Sequence, residues 1–390
     1  MSRHRDHDVA RQRATRIASL TAIVVTLAVV FGGLFVYQKL SGNITGVDTD
    51  SLLGDDRPDK EVVETEELDP LNILLLGSDE REGQAANIGG ESPGLSDTTI
   101  LLHLSADRER AYGVSIPRDS MVERPECYTP EGDTIPGELA MFNTAYALGG
   151  PGCTQRTVEQ LTGIRVDHFV VVKFDGFEHM VDALDGVPLC VPEEVNDDVG
   201  KIYLPAGRYE ADGKQALDYV RLRHELSENG DIGRMARQQV FLASMASKAI
   251  SAGTLVNPPR LYKFLDAATK SLITDDELAN LRDLASLANQ VRNIGLDKIQ
   301  FMTVPWEWYP EDPNRVQWAP EATKLWSRLE QDLTLTPKQA KDVTTAADAP
   351  GSKPQPSKSP SGSAGTSPSP SQTPTAEDGT LAADENGVCL

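Results

Sequence analysis

The sequence predicts a mixed α/β domain held behind a single apolar helix. Three observations carry that reading: a charge-free apolar stretch near the N-terminus, a set of short apolar runs bounded by turn residues that read as strands, and longer segments with apolar residues at steps of three and four that read as helices. The chain has 390 residues with 37 Lys and Arg against 59 Asp and Glu, a formal net charge of -22. So acidic a chain argues against general affinity for nucleic acid, whose phosphates need a broad basic surface. Its basic groups act locally.

No residue between Arg16 and Lys39 is charged, and 17–37 is long and apolar enough to cross a hydrocarbon layer of about 30 Å as a helix. Arg3, Arg5, Arg11, Arg13 and Arg16 precede it, and Lys39 alone follows closely before an acidic stretch. Positive-inside bias then keeps residues 1–16 cytoplasmic and places the rest outside a cell membrane crossed once. No clear A-x-A site follows the run, which favours an anchor over a cleaved signal. Residues 38–70, rich in acids and without sustained apolar period, read as a solvated extracytoplasmic spacer. From Pro350 to Pro374 there are seven prolines and eight serines, so 334–390 reads as a disordered tail ending in Cys389. The folded domain is 71–333.

Cys127, Cys153, Cys190 and Cys389 show no CxxC spacing, and in an exported chain they read as disulfides. Four cysteines allow three connectivities; Cys127 with Cys153, the two closest in sequence, is favoured, which leaves Cys190 for Cys389.

Inside the domain, LNILLL (Leu71 to Leu76), TTILLHL (Thr98 to Leu104) and AYGVSI (Ala111 to Ile116) read as strands. The second and third are joined by SADRER, too short for a crossover helix, so they pair antiparallel. Asp97 then lies beside Pro117, Arg118 and Asp119. With the first strand parallel to the third, Asp79, Glu80 and Arg81 emerge at the same rim, where sites on such folds are found. Residues 216–239 add more guanidinium and amide donors. YVRLRH reads as a strand with Arg221 and Arg223 on one face; DIGRMARQQVFLASMA reads as a helix with Arg234 and Gln238 four apart on one face and Met235, Leu242 and Ala249 on another. A pocket so rich in planar guanidinium forks suits phosphate or pyrophosphate.

LLLGSDER, SDTTILLHL, VSIPRDS, FNTAYALGG with TVEQLTGIRVDHFV, FEHMVDALDGVPLCV, QALDYVRLRH and GRMARQQ occur in the order found in LytR-CpsA-Psr proteins. The resemblance covers about 71–250, and VPWEWYPEDPNRVQWA resembles the final segment of actinobacterial members. It implies a three-layer α/β sandwich, a mixed central sheet flanked by helices, with a hydrophobic pocket for a lipid tail. It also implies a magnesium-dependent phosphotransferase, with Mg2+ or Mn2+ as cofactor, that takes a glycan from a polyprenyl pyrophosphate and attaches it to peptidoglycan through a phosphodiester. A side activity as pyrophosphatase on lipid pyrophosphates goes with it. Asp79 and Asp97 match the acids that position the metal. Arg81, Arg118, Arg221, Arg223, Arg234 and Gln238 match the phosphate-contacting set, and Asp231 or a rim acid is the candidate to activate the acceptor hydroxyl. The chain departs from the family at Leu95, where many members carry arginine, and at Met121 and Val122, where some carry another. A non-catalytic scaffold that binds polyprenyl phosphate or wall glycan is the alternative, and the carboxylate pair discriminates, because a mere anion binder gains nothing from it.

Other segments read as structural. His168 is flanked by apolar residues and suits a core position. A helix over 275–294, capped by Thr274 with Glu277 and stopped at Gly295, faces the core. Trp306, Trp308 and Trp318 suit either sugar stacking or a domain edge.

Overall fold

The computed structural model describes residues 2–63, 66, 68–78, 96–129, 132–198, 200–223, 226–227, 230–251, 257–292, 294–350 and 381–389. The chain opens with helix α1 (Ser2–Ser41), strand β1 (Thr45–Val47), helix α2 (Asp50–Leu53) and strands β2 (Leu71–Ser78), β3 (Ser96–Leu104) and β4 (Ala111–Ser115). Short ribbon strands β5 (Met121–Arg124), β6 (Cys127–Tyr128), β7 (Thr134–Ile135) and β8 (Glu138–Met141) precede helix α3 (Thr144–Thr162), strand β9 (His168–Lys173) and helix α4 (Phe174–Ala183). Strands β10 (Val187–Val191), β11 (Val195–Asp197), β12 (Ile202–Leu204) and β13 (Gly207–Ala211) lead into helices α5 (Gly213–Arg221), α6 (Asp231–Ser251) and α7 (Pro258–Ser271). The last stretch holds β14 (Leu272–Asp275), α8 (Leu281–Arg292), β15 (Ile299–Thr303), β16 (Trp306–Trp308), β17 (Val316–Trp318), α9 (Glu321–Glu330) and β18 (Thr344–Thr345).

Eight strands form one sheet in the order β1-β14-β9-β2-β3-β4-β15-β18. As the short SADRER link requires, β3 runs antiparallel to β4, and also to β2. Strand β9 joins β2 in parallel and β15 joins β4 in parallel, so the sheet is mixed. Both faces are covered, which explains why LNILLL is a continuous apolar run instead of an alternating one. Leu74 and Leu76 enter a core shared with Tyr146 and Val158 of α3 and Leu325 and Trp326 of α9. Ile73 and Leu75 meet Ala243 and Leu242 of α6 and Leu284 and Leu287 of α8. A separate core fills the space between α4, α5, α6 and the ribbons β10/β13 and β11/β12.

Several boundaries differ from the sequence reading. YVRLRH does not form a strand: the Asp212 carboxylate accepts from the Gln215 amide while the Gln215 side chain answers the Asp212 amide, a capping box that launches α5. The helix runs to Arg221 because Tyr219 and Val220 are buried against the second core. The helix expected from 275 begins at Leu281. Thr274 and Asp275 belong to β14, Asp275 accepts from the Leu278 amide at 3.0 Å, and Asn280 accepts from the Asp283 amide at 3.0 Å. Part of the expected spacer is packed: β1 pairs with β14, Leu52 and Leu53 are buried, and Arg57 reaches Glu159 at 2.5 Å. The fold also runs past 333, since β18 pairs with β15, Ala346 and Ala349 are buried, and 381–389 lies against the domain.

Cys127 and Cys153 sit at disulfide distance, as do Cys190 and Cys389, in the pairing the sequence favours. The expected span over 17–37 lies within α1, but among the described residues no helix is long and apolar enough to cross a membrane. The side chains at 1–18, 25, 28 and 29 lie outside the described residues.

Candidate active site

The end of the sheet where β2 exits, β3 enters and β4 leaves is built as the strand polarity requires. Gly77 opposes Thr98 there, and a bulge between Gly77 and Ser78 shifts the register so that Ser78 opposes Ser96. Asp97 follows Ser96, and Arg118 follows β4 by three residues. An Arg118 Nη1 ion pair joins the two. Arg223, just past the C-terminus of α5, reaches Asp97 Oδ2 with Nη2 at 3.3 Å. Arg234 on the first turn of α6 donates Nη2 to the Asp97 carbonyl at 3.1 Å and brings Nη1 within 3.9 Å of its carboxylate. Asp231, the first residue of α6, lies 2.6 Å from Arg234 Nη2 and 3.1 Å from Arg118 Nε. Three arginines thus interleave with two carboxylates drawn from β3, the β4 exit, the α5 exit and α6.

The two acids respond in opposite directions. Burial pushes Asp97 up, but the guanidiniums of Arg234, Arg118 and Arg223 outweigh it, and the carboxyl lies below its ordinary value. Asp231 is more deeply buried; desolvation outweighs Arg234 and Arg118, neighbouring Asp119 adds to it, and its carboxyl lies above its ordinary value. Arg234 is lowered, first by burial, which the Asp231 charge does not fully offset. Its 1% exposure places it at the bottom of the site, while the Arg223 side chain, 38% exposed, is at the mouth. Arg118 Nε, Arg234 Nε and both Asp231 carboxylate oxygens are buried and make no aligned hydrogen bond. Buried polar atoms without such partners are costly unless a ligand completes them.

Asp97 faces guanidiniums, so removing its charge relieves no repulsion between acids. Asp79, Arg81 and Leu95 lie outside the described residues. Arg221 does not join the cluster: as the last residue of α5 it stacks its guanidinium over the Phe174 ring at 5.1 Å, because the helix turns it away from Arg223. Gln238 commits its amide nitrogen to the Val220 carbonyl at 3.0 Å and lines an adjoining cavity. That cavity, about 130 Å³, is walled by Leu75, Leu76, Ile100 and Val172 of the sheet, Phe174, Phe177 and Met180 of α4, Leu217 and Val220 of α5, and Phe241, Leu242 and Met245 of α6. Gly77 and Thr98 line it too, so it adjoins the strand ends that carry the charged cluster.

Asp119 with Arg315, buried Arg237, and a trio of His168, Asp275 and Glu277 were not among the site residues read from the sequence. Asp119 sits 3.6 Å from Arg118 Nε and 3.2 Å from Arg315 Nη1, extending the charge chain to β16/β17, where Val316 bridges Ser120. Trp318 packs on Trp326 in the core, whereas Trp308 is exposed and meets Trp306 edge-on. Arg237, one turn beyond Arg234, is fully buried. At the other end of the sheet His168 Nδ1 meets Asp275 Oδ1 at 3.1 Å, and with Glu277 they gather three ligand-type groups beside a cavity of about 650 Å³. Asp275 already accepts from the Leu278 and Phe169 amides, which makes it a fixed brace between β9 and β14.

The model of the LytR_cpsA_psr family matches residues 36–333. The chain belongs to the LytR-CpsA-Psr family. A cell wall biosynthesis protein LcpA of Corynebacterium glutamicum is 32% identical over 262 residues, 60% of this chain and 49% of that protein. A polyisoprenyl-teichoic acid--peptidoglycan teichoic acid transferase TagU of Oceanobacillus iheyensis is 29% identical over 310 residues, 75% of this chain and 89% of that protein. The structure of a LytR-Csp2A-Psr enzyme from Actinomyces oris superposes with a TM-score of 0.56 at 21% identity, covering 78% of this chain and 99% of that one. It shares the mixed sheet flanked by helices. The chain spans about half the length of the curated Corynebacterium relatives it matches.

Proposed function

We propose that this LytR-CpsA-Psr chain is a membrane-anchored phosphotransferase that moves a glycan from a polyprenyl pyrophosphate to peptidoglycan or another wall acceptor. The observation that carries this reading is the convergence of Arg118, Arg223 and Arg234 on Asp97 beside an apolar cavity. Charged forks at the mouth and hydrocarbon walls behind suit a ligand with a pyrophosphate head and a prenyl tail. TagU and its relatives, whose names specify polyisoprenyl donors and peptidoglycan, support the class.

In this reading the pyrophosphate displaces the carboxylate-to-guanidinium contacts and takes the forks of Arg118, Arg223 and Arg234, while the prenyl chain opens the cavity between α4, α5 and α6. The acceptor hydroxyl oxygen forms a bond to the glycan-bearing phosphorus, the bridging P–O bond breaks, and polyprenyl phosphate leaves. Arg118 and Arg234 offset the charge on the leaving and bridging oxygens, the electrostatic role that dominates phosphoryl transfer. Asp231, its carboxyl raised by burial, takes the hydroxyl proton once the pyrophosphate has drawn Arg118 and Arg234 off it. With water as acceptor the same step is the pyrophosphatase side activity. Asp97, with Asp79 from outside the described residues, would hold Mg2+ or Mn2+ through hard carboxylate oxygens, and the bound ion would add cationic charge at the phosphates. The cysteine pairs are read as disulfides, as an extracytoplasmic location allows.

The anchor rests on α1. Leu20, Ile23, Val24, Leu27, Phe31, Leu34 and Phe35 all present exposed side chains along it, a surface that water disfavours and a bilayer accepts. Purified chain in detergent should release polyprenyl monophosphate from a polyprenyl pyrophosphate with added Mg2+, and excess EDTA should abolish release. Turnover unchanged in EDTA removes the metal; tight binding without turnover under all conditions leaves the scaffold alternative.

A further inference from the structure

Helix α6 carries a second buried arginine that the chemistry above does not use. Arg237 is 0% exposed, yet no carboxylate lies within ion-pair distance of it among the described residues. Its Nη2 donates to the Leu222 carbonyl at 2.5 Å and its Nη1 to the Asn386 carbonyl at 2.8 Å. Leu222 is the residue between the end of α5 and Arg223. Asn386 belongs to the C-terminal segment 381–389, which returns to the domain far along the sequence. That segment is fixed at both ends: the Leu381 amide donates to the Pro192 carbonyl at 2.8 Å, and Cys389 pairs with Cys190 of β10. Between them Asp384 Oδ1 accepts from the amides of Asn386 and Val388, each at 2.9 Å, and folds the segment into a turn. Gly387 has φ of +71°, and a Cβ there would lie 2.2 Å from the Leu226 carbonyl oxygen. Glycine is required on both counts, and the segment presses directly on the chain just after Arg223.

We propose that Arg237 and the C-terminal strap 381–389, latched through Cys190–Cys389, position Arg223: Arg237 ties the backbone before it to the strap, and the strap braces the backbone after it. The proposal rests on the reading of the Asp97 cluster as the phosphate site. Arg223 has the most exposed side chain of the clustered arginines and reaches Asp97 across 3.3 Å, so its aim depends on its backbone. A guanidinium presents several donors in a fixed plane, which lets one buried side chain hold two carbonyls from distant segments. A misplacement of about 1 Å at a positioning group can lower turnover about a hundredfold. The latch opens when a dithiol transfers two electrons and two protons to Cys190–Cys389, giving two cysteine thiols and the dithiol's own disulfide.

Full-length chains carrying Arg237→Gln, Arg237→Lys, Cys389→Ser or Gly387→Val test this without reductant, which would also open Cys127–Cys153. Gly387→Val displaces the strap from Leu226 with the latch intact, so the result does not depend on one variant folding. Amide hydrogen exchange at Leu222, Arg223 and Leu226 is read alongside kcat and KM on a polyprenyl pyrophosphate. Exchange there should quicken at least tenfold in Arg237→Gln, Cys389→Ser and Gly387→Val, with the sheet amides of β2 and β3 unchanged, and kcat should fall about a hundredfold. Arg237→Lys, with one point charge in place of the fork, should fall between. Local exchange equal to wild type in both Arg237→Gln and Gly387→Val overturns the proposal, as does loss of protection spread uniformly over the sheet in all variants. If the wild-type chain itself turns nothing over while the local exchange effect is present, the positioning stands and the phosphotransferase reading falls.

Discussion

Asp97 is the residue on which the site turns, since Arg118, Arg223 and Arg234 all meet it and a pair of strand ends presents it. Replacing it tests two effects together. Asp97→Asn removes the charge that compensates partly buried guanidiniums, and losing hydrogen bonds to charged groups costs about 1.5 to 3 kcal/mol, so the melting temperature should drop. The proposed metal-dependent turnover should vanish in the same variant. Arg118→Lys keeps a charge but cannot span Asp97 and Asp231 together, and loss of one preorganised contact to developing charge lowers kcat about a hundred- to a thousandfold. Full turnover in both variants, measured on the same lipid pyrophosphate, would remove the site from this position. Much of this was legible in the sequence, because strand polarity alone brings Asp97 to Arg118. Arg221 was misplaced because YVRLRH alternates like a strand, while its fate was decided four residues upstream of Ala216, at Asp212, whose cap starts a helix. The opposite tuning of Asp97 and Asp231 was not legible, since it depends on how deeply each carboxylate is buried, and spacing carries no such information.

At the scale of elements, β9 and β14 are braced by His168 and Asp275, and the brace has a defined pH window. Burial lowers the His168 pKa, but the Asp275 hydrogen bond and charge, with Asp167 and Glu277 nearby, raise it above 6.5 overall. Asp275 lies below 3.8 because His168 and the Leu278 and Phe169 amides outweigh its burial. Arg165 and Lys60 border the same cavity. A raised histidine contributes stability that is complete below 6.5 and is lost as pH rises through its folded value. A depressed aspartate contributes stability present above 3.8 and lost as pH falls through its folded value. The melting-temperature gap between wild type and His168→Gln should therefore be widest near pH 5 and should narrow above neutrality; a gap constant from pH 5 to pH 9 would show a packing role alone. The sequence identified His168 as structural but not its partner, which lies 107 residues away and meets it only through sheet pairing. The misjudged start of α8 has the same origin, because Thr274 and Asp275 were taken by β14 before any helix could use them as caps.

At the scale of the whole molecule, the exposed apolar side chains of α1 and the charged cluster bear together on the proposed function, in which a soluble headgroup chemistry meets a lipid-bound donor. Lys39 contacts Tyr262 at 3.0 Å and Leu40 is buried, so α1 is joined directly to α7 instead of through a free linker. In the proposed function, an enzyme so tethered would meet a bilayer-embedded donor at the high effective concentration that linkage confers, worth about 10² to 10⁴ in apparent affinity when geometry allows. Full-length chain reconstituted in vesicles that contain a long-chain polyprenyl pyrophosphate should reach half-maximal rate at a far lower donor density than a chain lacking residues 1–36. On a short, water-soluble analogue the two should have equal kcat and KM, because the Asp97 cluster and the cavity between α4, α5 and α6 are the same in both. Sedimentation with vesicles adds an independent readout, with the full chain pelleting and the shortened one staying in solution. Equal donor dependence in vesicles, or equal sedimentation, would show that α1 is not the anchor and that the enzyme reaches its lipid by the headgroup alone.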